Sequence, residues 1–266
     1  MSLPGTLRIG LSRGRFEMVE FFRDKGAVMF TFSFPALLML MLGGIYDEPI
    51  GEGVRLSQVF AASIAASAVV STSFVNLGGR IATDRDDGTL KRLRGTPMPV
   101  AAYFLGKTFQ VFWISLAELI LMLGLATALY DLKLPSSAVQ WGRMAGFFVL
   151  GVICWSLLGI AASRLARSAK TAAVATLVPY TLLGFVSGVY IVPNALPPVM
   201  EQIGALFPLK WLAQGFRSAL LPDSMSAYEA AGAWETGRTV LVLAAWSVAG
   251  LVLCLTTFRW NDERTK

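Results

Sequence analysis

The residues able to do chemistry are few, because the chain has no histidine and only two cysteines. Cys154 and Cys254 both fall inside apolar runs, where a cysteine acts as a small packing residue. Neither a disulfide framework nor a metal-ligand spacing can be built from them. Asp86 and Asp87 form a carboxylate pair in a charged run, but they are adjacent and followed by Lys91, Arg92 and Arg94. A solvated helix start explains such a pair better than acid–base catalysis. A phosphate-cradling loop needs Gly-x-x-x-x-Gly-Lys-Ser/Thr, and the nearest stretch, Gly95 to Lys107, lacks that spacing and contains Pro97 and Pro99. Glu118 stands alone near the middle of an uncharged run. No catalytic residue and no metal site is therefore expected.

The longest charged stretch between apolar runs, residues 84–107, has a definite order. Asp84, Asp86 and Asp87 lead it, and Lys91, Arg92 and Arg94 follow. Negative charge ahead of positive charge complements a helix dipole. Leu90 and Leu93, three apart, give one short apolar face. Pro97 and Pro99 stop the helix, since proline has no N–H to donate and pushes its predecessor away from helical geometry. The spacing predicts a short amphipathic helix over 84–97, placed to be gripped by a partner.

The surroundings identify the medium. Of 266 residues, 55% are hydrophobic and 15% charged, against about a quarter charged in soluble domains. With several uncharged runs near the length of a span, this composition predicts an all-α, polytopic membrane protein. The net charge of +6 follows from the excess of Lys and Arg on one side of a membrane protein, and no nucleic-acid partner is expected.

Residues 1–26 alternate Phe16, Val19, Phe21 and Phe22 with Arg13, Arg15, Arg23 and Lys25. That pattern fits a basic helix lying in the headgroup layer, a solvated terminal helix being the alternative. The first apolar run has no small-residue cleavage site directly after it, so a retained span is expected rather than a removable signal. Six spans are predicted, over 27–46, 56–79, 108–130, 144–163, 171–192 and 239–258, with a tail over 259–266. The first and fifth contain Pro35 and Pro179, which membrane helices tolerate. The second is rich in Ala and Ser at close spacing, and small residues of this kind let helix backbones approach inside a bundle.

The Lys and Arg distribution sets the orientation. The amino-terminal side receives Arg8, Arg13, Arg15, Arg23 and Lys25, then Arg80, Arg85, Lys91, Arg92, Arg94 and Lys107. It also receives Arg164, Arg167 and Lys170, and finally Arg259, Arg264 and Lys266. The opposite side receives only Arg55, Lys133, Arg143, Lys210, Arg217 and Arg238. Both termini are expected in the cytoplasm. Five prolines cut residues 193–237 into pieces too short to span, which should dip into or lie on the outer leaflet. Their aromatic cluster either lines a lipid-side exit or anchors the loop.

Glu118 falls at membrane depth, where insertion scales assign a charge about 2.5–3.5 kcal/mol. It is read either as a polar contact in a transport path or between subunits, or as a carboxyl paired inside the bundle with Ser115 or Asn76.

Two motifs carry a family resemblance. Asp86-Asp87-Gly88-Thr89-Leu90, Leu93, Thr96-Pro97 and Tyr103-Phe104-Leu105-Gly106-Lys107 resemble the cytoplasmic loop of type-2 ABC exporter permeases. Leu196-Pro197-Pro198, then Phe207-Pro208-Leu209-Lys210-Trp211 and Arg217, resemble their external re-entrant segment. The interfacial helix and six-span plan extend the likeness over essentially the whole chain, most of all to the short permeases of daunorubicin-type drug-resistance exporters. The resemblance implies that residues 84–97, with Asp84, Asp86–Leu90, Leu93, Arg94, Thr96 and Pro97, form a coupling helix docking on a separate ATPase subunit. That subunit would hold ATP and magnesium, and this chain would bind no cofactor. It further implies a homodimer or heterodimer with a second permease, a location in the bacterial cytoplasmic membrane, and a lipophilic or amphipathic substrate. Phe207, Pro208, Trp211 and Arg217 would belong to an external gate. Asp86-Asp87 stand where many relatives have glutamates, and Phe207 where an asparagine before proline is common. A permease for an envelope lipid or lipid-linked glycan shares this architecture. A membrane scaffold would need no helix aimed at an ATPase, and a secondary transporter would show inverted repeats and several intramembrane charges.

Overall fold

A computed structural model describes residues 5–51, 53–165 and 168–257. Among them, six helices are long and apolar enough to cross a membrane, and the protein is an all-α membrane protein. The helices are α1 (Thr6–Arg23), α2 (Lys25–Ile45), α3 (Leu56–Val70), α4 (Leu77–Asp86), α5 (Thr89–Arg94), α6 (Val100–Tyr130) and α7 (Ala138–Leu165). They continue with α8 (Ala169–Val186), α9 (Pro198–Ala205), α10 (Pro208–Leu220) and α11 (Thr236–Thr257). A small antiparallel pair, β1 (Pro49–Gly51) and β2 (Val54–Arg55), joins α2 to α3.

The second span forms the axis of the bundle. Helices α3 and α4 are joined by a π-helical stretch, Ser71–Asn76, into one rod over Leu56–Asp86. The most apolar part of that rod is wholly buried, whereas only 22% of the equivalent part of α2, α8 or α11 is. The small side chains of Ala61, Ala62, Ala65, Ala66 and Ala68 allow this, because neighbouring backbones can close on them from every side. The wide π turn is received by Gly159 of α7, where a Cβ would lie 2.8 Å from the Ser73 carbonyl oxygen.

Several spans differ in extent from the hydropathy pattern. The second was expected over 56–79 and runs to Asp86; the third was expected from 108 and begins at Val100. Hydropathy marks only the stretch inside hydrocarbon, while the backbone hydrogen-bond ladder continues unhindered into the headgroup layer. The fifth was expected to reach 192 and ends at Val186. There Gly188, at φ +70°, reverses the chain, and the Val189 and Tyr190 amides both donate to the Gly184 carbonyl. Gly184 and Gly188 thus serve a turn. The expected tail over 259–266, and Phe258 at the end of the sixth span, lie outside the described residues.

The charged segment also divides differently. Its helix was expected over 84–97, but Asp84 and Asp86 complete α4, and α5 covers only Thr89–Arg94. Gly88, at φ +77°, breaks the two apart. A left-handed residue cannot sit within a right-handed helix, and glycine adopts it without steric cost.

Helix α1 lies against the start of α6. A Cβ on Gly14 would stand 2.6 Å from the Phe109 ring, and one on Gly106 2.8 Å from Arg13 Cγ. Its opposite face leaves Leu7, Leu11, Phe16, Val19 and Phe22 exposed among arginines, an arrangement suited to the headgroup layer.

Candidate functional site

At the end of the bundle carrying α5, the outermost residues are organised by a single carboxylate. Asp87 Oδ1 accepts from the Thr89 amide at 2.8 Å. Hydrogen bonding from Thr89, side chain first and then backbone, holds the Asp87 carboxyl below its ordinary value of 3.8. Arg92 closes the turn, donating to Thr89 Oγ1 at 2.9 Å, and Thr96 Oγ1 donates to the Leu93 carbonyl at 2.6 Å. No residue of α5 is buried. Leu90 and Leu93 are half-exposed, while Lys91, Arg92, Arg94, Thr96 and Pro97 face outward. The result is a small, preformed knob with a partly apolar surface and a basic rim.

Of the other acidic residues of this segment, Asp84 turns inward, while Asp86 stays exposed and reaches across to α8. Asp86 Oδ2 accepts from the Ala169 amide at the start of α8, at 2.5 Å, and Arg85 donates to the Ser163 carbonyl near the end of α7 at 3.0 Å. Asp84 belongs to a buried network. Lys107 of α6, 1% exposed, places Nζ 2.7 Å from Asp84 Oδ2 and 2.7 Å from Glu17 Oε2 of α1. Tyr103 donates its hydroxyl to Asp84 at 2.7 Å, Arg13 approaches Glu17 at 2.5 Å, and Gln110 donates to the Glu17 carbonyl at 2.9 Å. One ammonium thereby joins α1, α4 and α6 directly behind the knob. Both carboxylates share this ammonium, which ties the three helix ends to one another.

Sequence reasoning missed Glu17 and noted Lys107 only within a motif. The signal was present in α1: Gly10, Gly14, Glu17 and Phe21 recur at helical spacing, so the face that the glycines press against α6 also carries the carboxylate.

Inside the membrane, Glu118 is fully buried and its Oε2 accepts from Thr72 Oγ1 at 2.8 Å. The expected partners are not the ones used. Asn76 donates to Thr31 Oγ1 of α2 at 3.0 Å, and Ser115 Oγ has no hydrogen-bond partner among the described residues. The cause is the π turn, which changes the side-chain register of α3 and brings Thr72 opposite α6.

At the other end of the bundle, α10 is more deeply placed than expected. Every residue from Pro208 to Leu220 is buried, and the helix is seated among α3, α7 and α11. Among the described residues of this segment, α9, with Val199, Met200 and Ile203 exposed and Leu206 exposed just after it, presents an apolar face outward. The reason is local: Arg217 needs partners that exist only inside. Its Nε and a terminal nitrogen engage both oxygens of Glu229 at 2.6 and 2.9 Å, and the remaining nitrogen donates to Ser63 Oγ at 2.9 Å and the Gly188 carbonyl at 3.1 Å. Pro208 opens the helix, and Phe207, just before it, stacks on Trp246 at 6.1 Å. Trp211 donates to the Ala205 carbonyl at 2.9 Å while Arg238 lies over its ring at 4.9 Å. Phe207, Pro208, Trp211 and Arg217 thus lie along one buried helix and the residue before it, each of the larger side chains with partners of its own.

Among the described residues, no group of three or more Cys, Asp or Glu could hold a metal ion. The arrangement is suited to mechanical coupling: an exposed knob, a shared ionic joint behind it, and a continuous rod through the bundle.

Known proteins resemble this chain in sequence. The sequence pattern of the family described as ABC-2 type transporter matches residues 14–221. The putative transport permease YvfS of Bacillus subtilis (strain 168) is 23% identical over 245 residues, covering 89% of this chain and 91% of that protein. The inner membrane transport permease YadH of Escherichia coli (strain K12) is 20% identical over 191 residues, covering 70% of this chain and 72% of that protein.

Proposed function

The chain belongs to the ABC-2 type transporter family, and from that premise we propose that this membrane permease subunit exports a lipophilic or amphipathic compound, driven by a separate ATPase subunit docked on residues 84–97. The family implies the ATPase partner. The observation that carries the coupling role is the exposed knob of α5, backed by the buried Lys107 junction with Asp84 and Glu17.

Work enters at the knob in this reading. The ATPase, holding ATP and magnesium, grips Leu90, Leu93 and the basic rim, and its closure displaces α5. Asp84 passes the displacement through Lys107 to α6 and α1, while α4 passes it directly along the buried second span. Motion of these rods reaches Arg217 through Ser63 and opens the assembly around α10. Two such permeases, identical or not, enclose the path between them. The positive-inside distribution supports cytoplasmic termini, and the bacterial permeases it resembles support a bacterial cytoplasmic membrane setting.

ATP-dependent uptake into inverted vesicles, with this chain and its ATPase present, tests the reading over drugs and envelope lipids. Accumulation of a drug-like compound supports it, while accumulation of a lipid-linked glycan alone replaces its cargo. Gly88→Pro is expected to abolish ATPase docking while leaving the chain inserted, because proline cannot adopt the φ of +77° found there. Unchanged docking in that variant would overturn the coupling role.

A further inference from the structure

The π turn of the second span has no role in the family match or in the transport reading, and the polar groups around it are unevenly matched. Ser71, Thr72 and Ser73 place three consecutive hydroxyls in it, all buried. Of the three, Thr72 meets the carboxyl on α6, donating to Glu118 Oε2 at 2.8 Å. Ser73 Oγ, Ser115 Oγ and Glu118 Oε1 are buried without a hydrogen-bond partner among the described residues. Buried polar atoms are nearly always paired, so a bare hydroxyl next in sequence to the donor in use needs a reason.

The backbone supplies one. The Leu77 amide donates to the Thr72 carbonyl, five residues back, where an α-helix would reach four. Such a turn takes in one extra residue, and it can move along a helix by exchanging one hydrogen bond for another. A step of one residue toward α3 rotates only the residue it passes, by about 100°. Ser73 then takes the place of Thr72 opposite Glu118. A step the other way would offer Ser71, so a hydroxyl meets the carboxyl in either direction; Ser73 is the one of the two whose oxygen is buried and bare. The contacts flanking the three hydroxyls keep their register through the step. Ser67 Oγ lies 3.0 Å from the Tyr180 hydroxyl on one side, and Asn76 donates to Thr31 Oγ1 at 3.0 Å on the other. Gly159 of α7 leaves the carbonyls of the turn room to swing, since a Cβ there would lie 2.8 Å from the Ser73 carbonyl oxygen and 3.0 Å from that of Phe74.

We propose that this π turn is a sliding element with two registers, in which Glu118 accepts from Thr72 or, one residue on, from Ser73. A bulge bends its helix, and moving the bulge changes the direction of the bend. The second span can therefore re-aim its two halves without leaving the buried carboxyl stripped of its donor. The element belongs to this chain alone and is independent of cargo and ATPase, so failure of the transport reading leaves it standing.

The test is a double-mutant cycle on unfolding of the full chain in detergent. In the wild-type background Ser73→Ala removes a hydroxyl that has no partner, and the folding equilibrium should be unchanged or favoured. In the Thr72→Val background, where Ser73 carries the bond, the same substitution should lower the folding equilibrium constant about fivefold or more. Ser187→Ala, which removes another buried hydroxyl without a partner among the described residues, should act alike in both backgrounds. Equal effects of Ser73→Ala in the two backgrounds would overturn the proposal. A measurement on the wild-type chain in lipid nanodiscs needs no variant. Resonances of residues 71–73 should show exchange on the μs–ms scale, and those of residues 61–66 should not. A single set for residues 71–73, free of exchange, would overturn the two registers as well.

Discussion

The two ends of this molecule each bury a cation, and they hold it in opposite ways. At the α5 end, Lys107 is a point charge between two carboxylates from two other helices. Each carboxylate has a second partner, Arg13 for Glu17 and Tyr103 for Asp84. At the α10 end, Arg217 grips one carboxylate with both arms of its fork, and two further acceptors complete its shell. An ammonium on a flexible stem can pivot between acceptors, whereas a planar guanidinium permits one geometry. The inner joint can therefore shift without leaving a bare charge, while the outer one is either closed or broken. That difference suits a hinge at one end and a plug at the other.

The sharpest way to break the comparison is at the plug. Arg217→Ala should destabilise the fold by about 3–5 kcal/mol, since Glu229 is left buried and unpaired. Thermal unfolding in detergent would register this as a large loss of the folded fraction. Arg217→Lys should recover less than half of the loss, because the fork contacts cannot be rebuilt.

Lys107→Met at the hinge should cost less, about 3 kcal/mol or below, because both carboxylates retain another donor. A double-mutant cycle with Glu17→Gln should give a coupling above about 0.5 kcal/mol. Equal losses for Lys107→Met and Arg217→Ala would erase the distinction between hinge and plug.

Midway along the rod, Thr72→Val removes the one hydrogen bond that the Glu118 side chain makes among the described residues. About 1–3 kcal/mol should be lost, and Glu118→Gln should be milder because an amide oxygen still accepts from Thr72. The same unfolding assay compares the two.

The smallest effect belongs to the knob. The Asp87 carboxyl titrates below its ordinary value because Thr89 donates to it. A depressed carboxyl contributes stability above its unfolded pKa of 3.8 that is lost as the pH falls through its lower folded value. Amide exchange at Thr89 should thus be unchanged between pH 7 and 5 after correction for intrinsic rates, and should rise only below about pH 4. Loss of protection already at pH 5 would show that the turn depends on something other than Asp87.

Much of the fold was legible in the sequence, and for identifiable reasons. Uncharged runs forced six spans, since a backbone in hydrocarbon must bond to itself. The alanines and serines of the second span placed it at the centre. The prolines at 97, 99, 208 and 222 ended or opened helices where their missing donors required. Leu90 and Leu93 fall together on the half-exposed side of α5, as their spacing of three suggests, yet the run of charges around them concealed the break at Gly88. Charge order along a chain does not show which side chains turn inward, and so the burial of Asp84 against Lys107 was not legible, while Asp86 is exposed as its place at a solvated helix start predicts.

The sequence by itself determined that this chain lives in a bilayer, how many times it crosses, and which short segments could not. Those properties depend on composition and periodicity over neighbouring residues, which the chain carries locally. Only the tertiary structure decided that Glu17, Asp84 and Lys107 meet, that Glu118 turns to Thr72, and that α10 is drawn into the bundle by Arg217. These contacts join residues far apart in the chain, and their partners are selected by burial: a charge taken out of water must find an opposite charge or a donor wherever packing brings one within reach.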